Sequence, residues 1–395
     1  MSSAVDLAQP GPRRRPRDRK RQILAAAREL FVAQGYPNVS MAAIAERVGI
    51  TAGALYRHFD NKAVLLEQVF EHSFDWIDAP LTSTDYDAAV DEAINRVIDR
   101  PYLADLWVSE IRYLPEEKRR ALRRRMRDWS ASLAPALRGR RPDLDPGQLE
   151  LLIWAVQSLI GSIGRRAVHR PVPDRIPVVR AGLRALTSVE LLPTGKVMDR
   201  PAPRLLPNSM RERLLHAAFE QFADRGVHET SMASIGAAVG VSGPNLYSYF
   251  VSKSDLARAV FERGSHALWL GLEQALSEAN DPSDALVRLT RSYIGMARSW
   301  STGAEDDSGD DELAERVTEF RREYFAEWVT LLVKARPDLD RREAHLRVHL
   351  GLLLVADLYA NERLWRVETF RENLARLVLA ILFGPSAASV TPTRK

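Results

Sequence analysis

The chain has 395 residues, no cysteine and a formal net charge of +4. Its length exceeds one ordinary hydrophobic core, so two or more domains are expected. The missing cysteine excludes a disulfide framework, thiolate metal sites and a cysteine nucleophile. No apolar run of the roughly 18 to 20 residues that span a bilayer occurs, and the N-terminus is arginine-rich rather than signal-peptide-like, so a cytoplasmic location and no membrane partner are expected.

In chain order, a basic arm comes first (1–20). Positions 13–21 read RRRPRDRKR, a concentration of positive charge ahead of a near-neutral body. Such an arm either meets a polyanion, with Arg13, Arg14 and Arg15 in front, or is a solvated tail.

The next segment, 21–72, has the apolar spacing of short helices, with Ile23, Ala27, Leu30 and Phe31 on one face and Leu65, Val69 and Phe70 on another. Ser40 is placed to cap a helix of about two turns that buries Ile44 and Val48. Gly49 ends it where the chain must turn through a left-handed conformation, and Thr51 caps a second short helix, TAGALYRHF. There Leu55 and Phe59 point inward, while Ala52, Gly53, Tyr56 and Arg57 face outward. Small residues stand where base edges approach and longer polar ones nearer the phosphates. Lys62, at the start of the following helix, combines a cation with free backbone amides and is expected to hold a phosphate.

A helical regulatory domain is expected over 73–192, then a proline-rich, semi-extended linker over 193–208. Position 212 begins a repeat. Shifting the chain by 191 positions lays the stretch from Arg21 onto that from Glu212 without a gap, and about twenty of roughly fifty positions match. The second copy (209–263) has Ser231 and Ser242 as caps, Gly240 at the turn, SGPNLYSYF as the second helix and Lys253 in place of Lys62. A second regulatory domain is expected over 264–385, interrupted by an acidic loop from Gly303, before a tail (386–395). The pentapeptide RPDLD recurs from Arg141 and from Arg336, so the duplicated unit is about 190 residues rather than the motif alone. With no period-two run or Asn-Gly hairpin signal, the fold is expected to be all-α.

The run S-M-x-x-I-A-x-x-V-G-I-T-x-G-A-L-Y-x-H-F-x-x-K-x-x-L, Ser40 to Leu65, resembles the DNA-binding signature of the TetR family of bacterial repressors. Ser231 to Leu256 carries it too, with Gly236 for the usual Ala, Pro244 for Gly and Tyr249 in place of His58. The resemblance implies two all-α units, each with a three-helix DNA-binding domain, then middle helices around an effector pocket and a final pair that joins a four-helix dimer interface. It also implies that Thr51, Ala52 and Gly53 approach bases while Ser40, Tyr56, His58 and Lys62 hold the backbone. Ser242, Gly243, Asn245, Tyr247 and Lys253 match in the second copy, with Ser231, Ser248 and Tyr249 beside them. Two units in one chain resemble the tandem TetR regulators of actinobacteria, some of which control lipid- or sterol-uptake operons. The segment LWVSEIRYLPEEKRRALRRR from Leu106 is similar to a stretch in members that respond to acyl-coenzyme A or lipids, and the second copy lacks it.

Trp107, Tyr113, Trp129 and Trp154 either line an effector pocket or are core. Arg119, Arg120, Arg123, Arg124, Arg125 and Arg127 either meet an anionic effector or form a solvated face. His345 and His349 share a helical face, but no third ligand accompanies them, so no metal or other cofactor is expected. No nucleophile elbow, P-loop or dinucleotide fingerprint occurs, and an enzyme is not expected. The function expected is a DNA-binding transcriptional regulator, a repressor released from a double-stranded operator by a small hydrophobic or acyl-type effector. The alternatives are an architectural protein without an effector, or a scaffold whose second helix-turn-helix does not bind DNA. The duplication predicts an intramolecular pseudo-dimer, with homodimerisation as the competing arrangement. Gly147–Arg166 should pack on Arg341–Asn361, with Arg175–Leu191 and Glu368–Phe383 completing the bundle, and the operator should be non-palindromic.

Overall fold

The computed structural model describes residues 16–100, 102–165, 172–198, 205–241, 243–300 and 311–384. Arg13, Arg14 and Arg15, Ser242, positions 199–204 of the linker, 303–310 of the acidic loop and the tail lie outside the described residues. Among the described residues every regular element is helical, and paired extended backbone is confined to a bridge between Val197 and Val367.

The first repeat runs through α1 (Pro16–Gln34), α2 (Met41–Val48), α3 (Ala52–Tyr56), α4 (Lys62–Ser73), α5 (Tyr86–Ile98), α6 (Leu103–Asp105), α7 (Glu116–Ala131), α8 (Ala134–Arg140), α9 (Pro146–Ser162) and α10 (Val172–Thr187). The second contains α11 (Met210–Glu229), α12 (Met232–Val239), α13 (Gly243–Leu246), α14 (Lys253–Glu278), α15 (Pro282–Trp300), α16 (Asp311–Ala335), α17 (Arg341–Tyr359), α18 (Glu362–Trp365) and α19 (Phe370–Phe383). The chain forms two compact units. The first joins the residues up to Pro80 with Asp99–Trp129, and the second joins Leu81–Ile98 with the residues from Ser130 onward. Helices α5 and α8 to α10 of the first repeat thus fold in one unit with the second repeat.

In the first unit α1 packs across α2 and α4. Ile23, Ala27 and Phe31 meet Ile44, Leu55, Phe59, Leu65 and Val69, all at or below 1% exposure. Each of the larger of these side chains contributes about 1.5 to 3 kcal/mol of burial, which is how helices as short as α2 and α3 persist. Val48, expected in this core, is half-buried. After α6 the chain makes a π-helical turn, Leu106–Glu110, and a 3-10 turn, Ile111–Tyr113, and the π turn rests on α1.

In the second unit the last long helices of the two repeats pack together, α9 on α17 and α10 on α17 and α19. The repeated RPDLD has a structural reason here. Arg141 is forked onto Asp143 and donates to the carbonyls of Thr187 and Val189, each at 2.9 Å, at the end of α10. Arg336 is forked onto Asp338 and donates to the Phe383 carbonyl at the end of α19. In each repeat one arginine therefore satisfies the open carbonyls of the final helix. Asp145 and Asp340 cap the helices that follow, α9 and α17.

Polar links join α9 and the residues after it to α17 across the repeats within this unit. Ser158 on α9 donates to Asp357 on α17 at 2.6 Å, and Arg165 pairs with the same carboxylate. The chain leaving α10 is held as a strap. The Leu192 amide and carbonyl bond to the Asn373 side chain at 2.7 and 3.0 Å, Thr369 donates to the Pro193 carbonyl, Thr194 N–H donates to Asp145, and Met198 N–H donates to the Arg366 carbonyl. The described beginning of the linker has no helix and is anchored along its length.

Candidate nucleic-acid interface

Each copy of the motif is built by the same local physics. Ser40 Oγ accepts the Ala43 N–H at 3.1 Å, satisfying an open donor at the start of α2. Gly49, at φ 71°, ends that helix, and the Glu46 and Ala45 carbonyls receive the Gly49 and Ile50 amides at 3.0 Å. Thr51 Oγ1 then accepts the Ala54 N–H at 3.2 Å and starts α3. Leu55 and Phe59 are buried. Thr51, Ala52, Gly53, Tyr56, Arg57 and His58 form one exposed face, with Tyr56 51% exposed. Ser40 is exposed beside it, and its hydroxyl hydrogen is a donor its capping role leaves in place.

In the second copy Ser231 accepts the Ser234 N–H at 3.1 Å, Gly240 has φ 77°, and Leu246 and Phe250 are buried. Asn245, Tyr247, Ser248 and Tyr249 are exposed, while Gly243 opens α13. Gly236, which stands where the first copy has Ala45, has a close-contact reason. A Cβ there would lie 2.6 Å from the Val241 carbonyl oxygen, so the turn is tighter in this copy.

The two lysines expected at phosphates each donate to backbone carbonyls. Lys62 Nζ donates to the carbonyls of Tyr36, Val39 and Pro37 at 2.8, 2.9 and 3.3 Å and lies 4.3 Å from the Tyr36 ring centre. Burial draws this ammonium below its ordinary pKa. Lys253 donates to the carbonyls of His228 and Thr230 at 2.9 and 3.2 Å. In both copies the cation fixes the loop ahead of the first motif helix. Lone carbonyls in a loop carry no sequence signature, so side-chain type and spacing could not reveal this. A second repeated device was also missed: Lys20 lies over the Phe59 ring at 5.6 Å, and Arg211, 191 positions later, over the Phe250 ring at 5.0 Å.

In the first unit the aromatic candidates pack against the reader module or near it. The Tyr113 ring lies 5.1 Å from Tyr36, Trp107 5.6 Å from Phe74, and Trp129 4.9 Å edge-on to Trp76. Trp154 sits on α9 in the other unit, half-buried. Glu110, missed in the sequence, is 4% exposed at the end of the π turn and accepts the Tyr36 N–H at 2.9 Å. Of the arginine group, Arg125 is held by Asp78 and Glu71, and Arg119 and Arg120 by Glu116, whereas Arg123 and Arg124 are exposed. The best-formed hollows of the described residues, one beside Phe70 and Leu122 and one beside Arg175 and His349, hold about one water each. His345 and His349 stack around Phe325, and the described residues contain no cluster of three or more metal-ligating side chains. No described helix is long and apolar enough to cross a membrane.

A family model described as "Bacterial regulatory proteins, tetR family" matches residues 23–69 and 214–260. The chain is 31% identical over 162 residues to the HTH-type transcriptional activator FasR of Mycolicibacterium smegmatis, covering 41% of this chain and 73% of that one. It is 40% identical over 63 residues to the HTH-type transcriptional repressor KstR of the same species, covering 16% of this chain and 31% of the repressor. Among solved structures, a TetR-family transcriptional regulator from Bordetella parapertussis aligns with a TM-score of 0.40 and 22% identity, covering 45% of this chain and 96% of that one.

Proposed function

Given that the chain belongs to the tetR family of bacterial regulatory proteins and is a DNA-binding transcription regulator, we propose that it acts as a repressor whose single polypeptide does the work of a family dimer. The observation that carries this reading is the double occurrence of a capped helix-turn-helix with an exposed outer face, together with the packing of α9 and α10 on α17 and α19 inside one chain. In the first module Thr51, Ala52 and Gly53 approach base edges while Ser40, Tyr56, Arg57 and His58 meet phosphates and sugars. In the second, Asn245, Tyr247, Ser248 and Tyr249 form the outward face that meets DNA. The arm with Arg13, Arg14 and Arg15 adds sequence-independent attraction to the double helix. Because the outward residues of the copies differ, the operator has two unlike half-sites.

Release by a hydrophobic or acyl-type effector is supported by the likeness of the segment from Leu106 to lipid-responsive family members. The same segment contacts the reader module through Glu110 and Tyr113. Neither of the two hollows described above has room for an acyl chain, so a ligand entering there would part the packing beside them. Moving Tyr113 and Glu110 would disturb Tyr36, and with it the loop that Lys62 secures. Sedimentation with one operator tests the pseudo-dimer: one chain per site is expected, and two chains on a symmetric footprint would overturn it. Titrating acyl thioesters into the complex tests the effector, with release of DNA and a raised melting temperature expected. If no acyl or sterol-type compound does either, the effector reading falls.

A further inference from the structure

The two reader modules differ most plainly in whether they carry charged side chains at all. Positions 40–61 include Glu46, Arg47, Arg57, His58 and Asp60, whereas positions 231–252 contain no Asp, Glu, Lys, Arg or His. What the second module exposes is neutral: Asn245, Ser248, the alanines of α12, Tyr247 at 54%, Tyr249 at 43% and Val251 at 83%. Among the described residues bordering it, Lys253 and Arg213 donate to backbone carbonyls, and Arg211 lies over the Phe250 ring while remaining exposed. Its Ser231 cap and left-handed glycine nevertheless reproduce those of the charged copy.

A face of this kind releases few counterions and offers no forked cation for guanine O6 and N7. It does offer a carboxamide that suits adenine N6 and N7, and phenol and methyl surfaces that suit the thymine methyl group. Its weak attraction for phosphate is no obstacle, because the first module and arm hold the same chain on DNA and present the second at high effective concentration. We infer that the second module reads an A·T-rich half-site through Asn245 and an apolar patch of Tyr247, Tyr249 and Val251, while the first module and the arm supply the electrostatic anchorage. This rests on the reading of both modules as DNA-binding.

The chain has no cysteine, so E46C or A237C places a single chelated-iron cleavage reagent at equivalent exposed positions of the first or second module. With an operator selected from random DNA, cleavage from A237C identifies the half-site under the second module. Replacing thymine by uracil there should weaken binding by about fourfold for each methyl in contact. Changing the contacted A·T pair to G·C should cost about tenfold or more, and N245A should abolish that preference while leaving the other half-site's preferences unchanged. A G·C-rich half-site, or full tolerance of uracil beneath a persisting A237C cleavage pattern, overturns the inference and leaves DNA binding by both modules intact. Cleavage from E46C with none from A237C removes the reading beneath it, since the second module would then not lie on DNA.

Discussion

Asn373, in the last helix of the second repeat, closes a two-bond ring with the backbone of Leu192, at the end of the first. The Leu192 N–H donates to Oδ1 at 2.7 Å and Nδ2 donates to the Leu192 carbonyl at 3.0 Å. One side chain thus supplies both partners that a strand neighbour would give this residue, and it does so at 3% exposure.

N373A should destabilise the second unit by about 2 kcal/mol, because two part-buried backbone groups lose their partners. Urea unfolding followed by circular dichroism measures this. A loss below about 0.5 kcal/mol would mean that water replaces the carboxamide at no cost.

Asp145 ties the strap to the start of α9. It accepts the Gly147 and Gln148 amides at 2.9 Å and the Thr194 amide at 2.7 Å. Burial by itself raises its pKa, but the hydrogen bonds from Thr194, Gln148 and Gly147 outweigh that, and the net direction is downward. A carboxylate with a depressed folded pKa contributes stability that is present above its unfolded value near 4 and is lost as the pH falls through the folded one. Proteolysis within 193–208 should therefore accelerate on acidification below about pH 4, using a protease active in acid. D145A should show that acceleration already at neutral pH, along with a loss of about 1 to 2 kcal/mol from the missing cap. Equal cleavage rates in wild type and variant would dismiss the anchor.

Glu110 and Tyr36 join the Leu106 segment to the reader module. Removing the acceptor with E110A should lower operator affinity about fivefold, corresponding to about 1 kcal/mol for an unpaired amide. E110Q, which keeps an acceptor oxygen, should recover most of it. Fluorescence anisotropy on a labelled operator decides, and identical affinities for all three proteins would disconnect this hydrogen bond from DNA binding.

Deleting residues 1–15 removes Arg13, Arg14 and Arg15 and leaves α1 and the Lys20 contact on Phe59 in place. The plot of log affinity against log salt should flatten by about 0.9 for each phosphate that the arm neutralises in the intact protein. An unchanged slope would make the arm a spectator.

The sequence by itself determined whatever depends on neighbours within one turn of chain. Ser40 and Ser231 cap because a hydroxyl three residues ahead of an open amide is a local geometry. Gly49 and Gly240 end their helices because the left-handed region excludes most side chains, and the apolar three- and four-residue steps announce helix in any context. The duplication made these signals legible by printing them twice, and the outward positions of α3 followed from helical phase. Tertiary structure decided the contacts that join residues far apart in the chain. Nothing in the spacing around Lys62 says that three carbonyls of the preceding loop will take its ammonium. Nor does anything local say that Glu110 will be buried against the Tyr36 amide. The sequence placed α9 and α17 as partners through the repeat, yet the pairing of Ser158 and Arg165 with Asp357, and the seating of the linker on Asn373 and Thr369, required the helices to be in place. Long flexible polar side chains choose among acceptors that only the assembled fold brings within reach, whereas caps and left-handed turns find theirs within four residues.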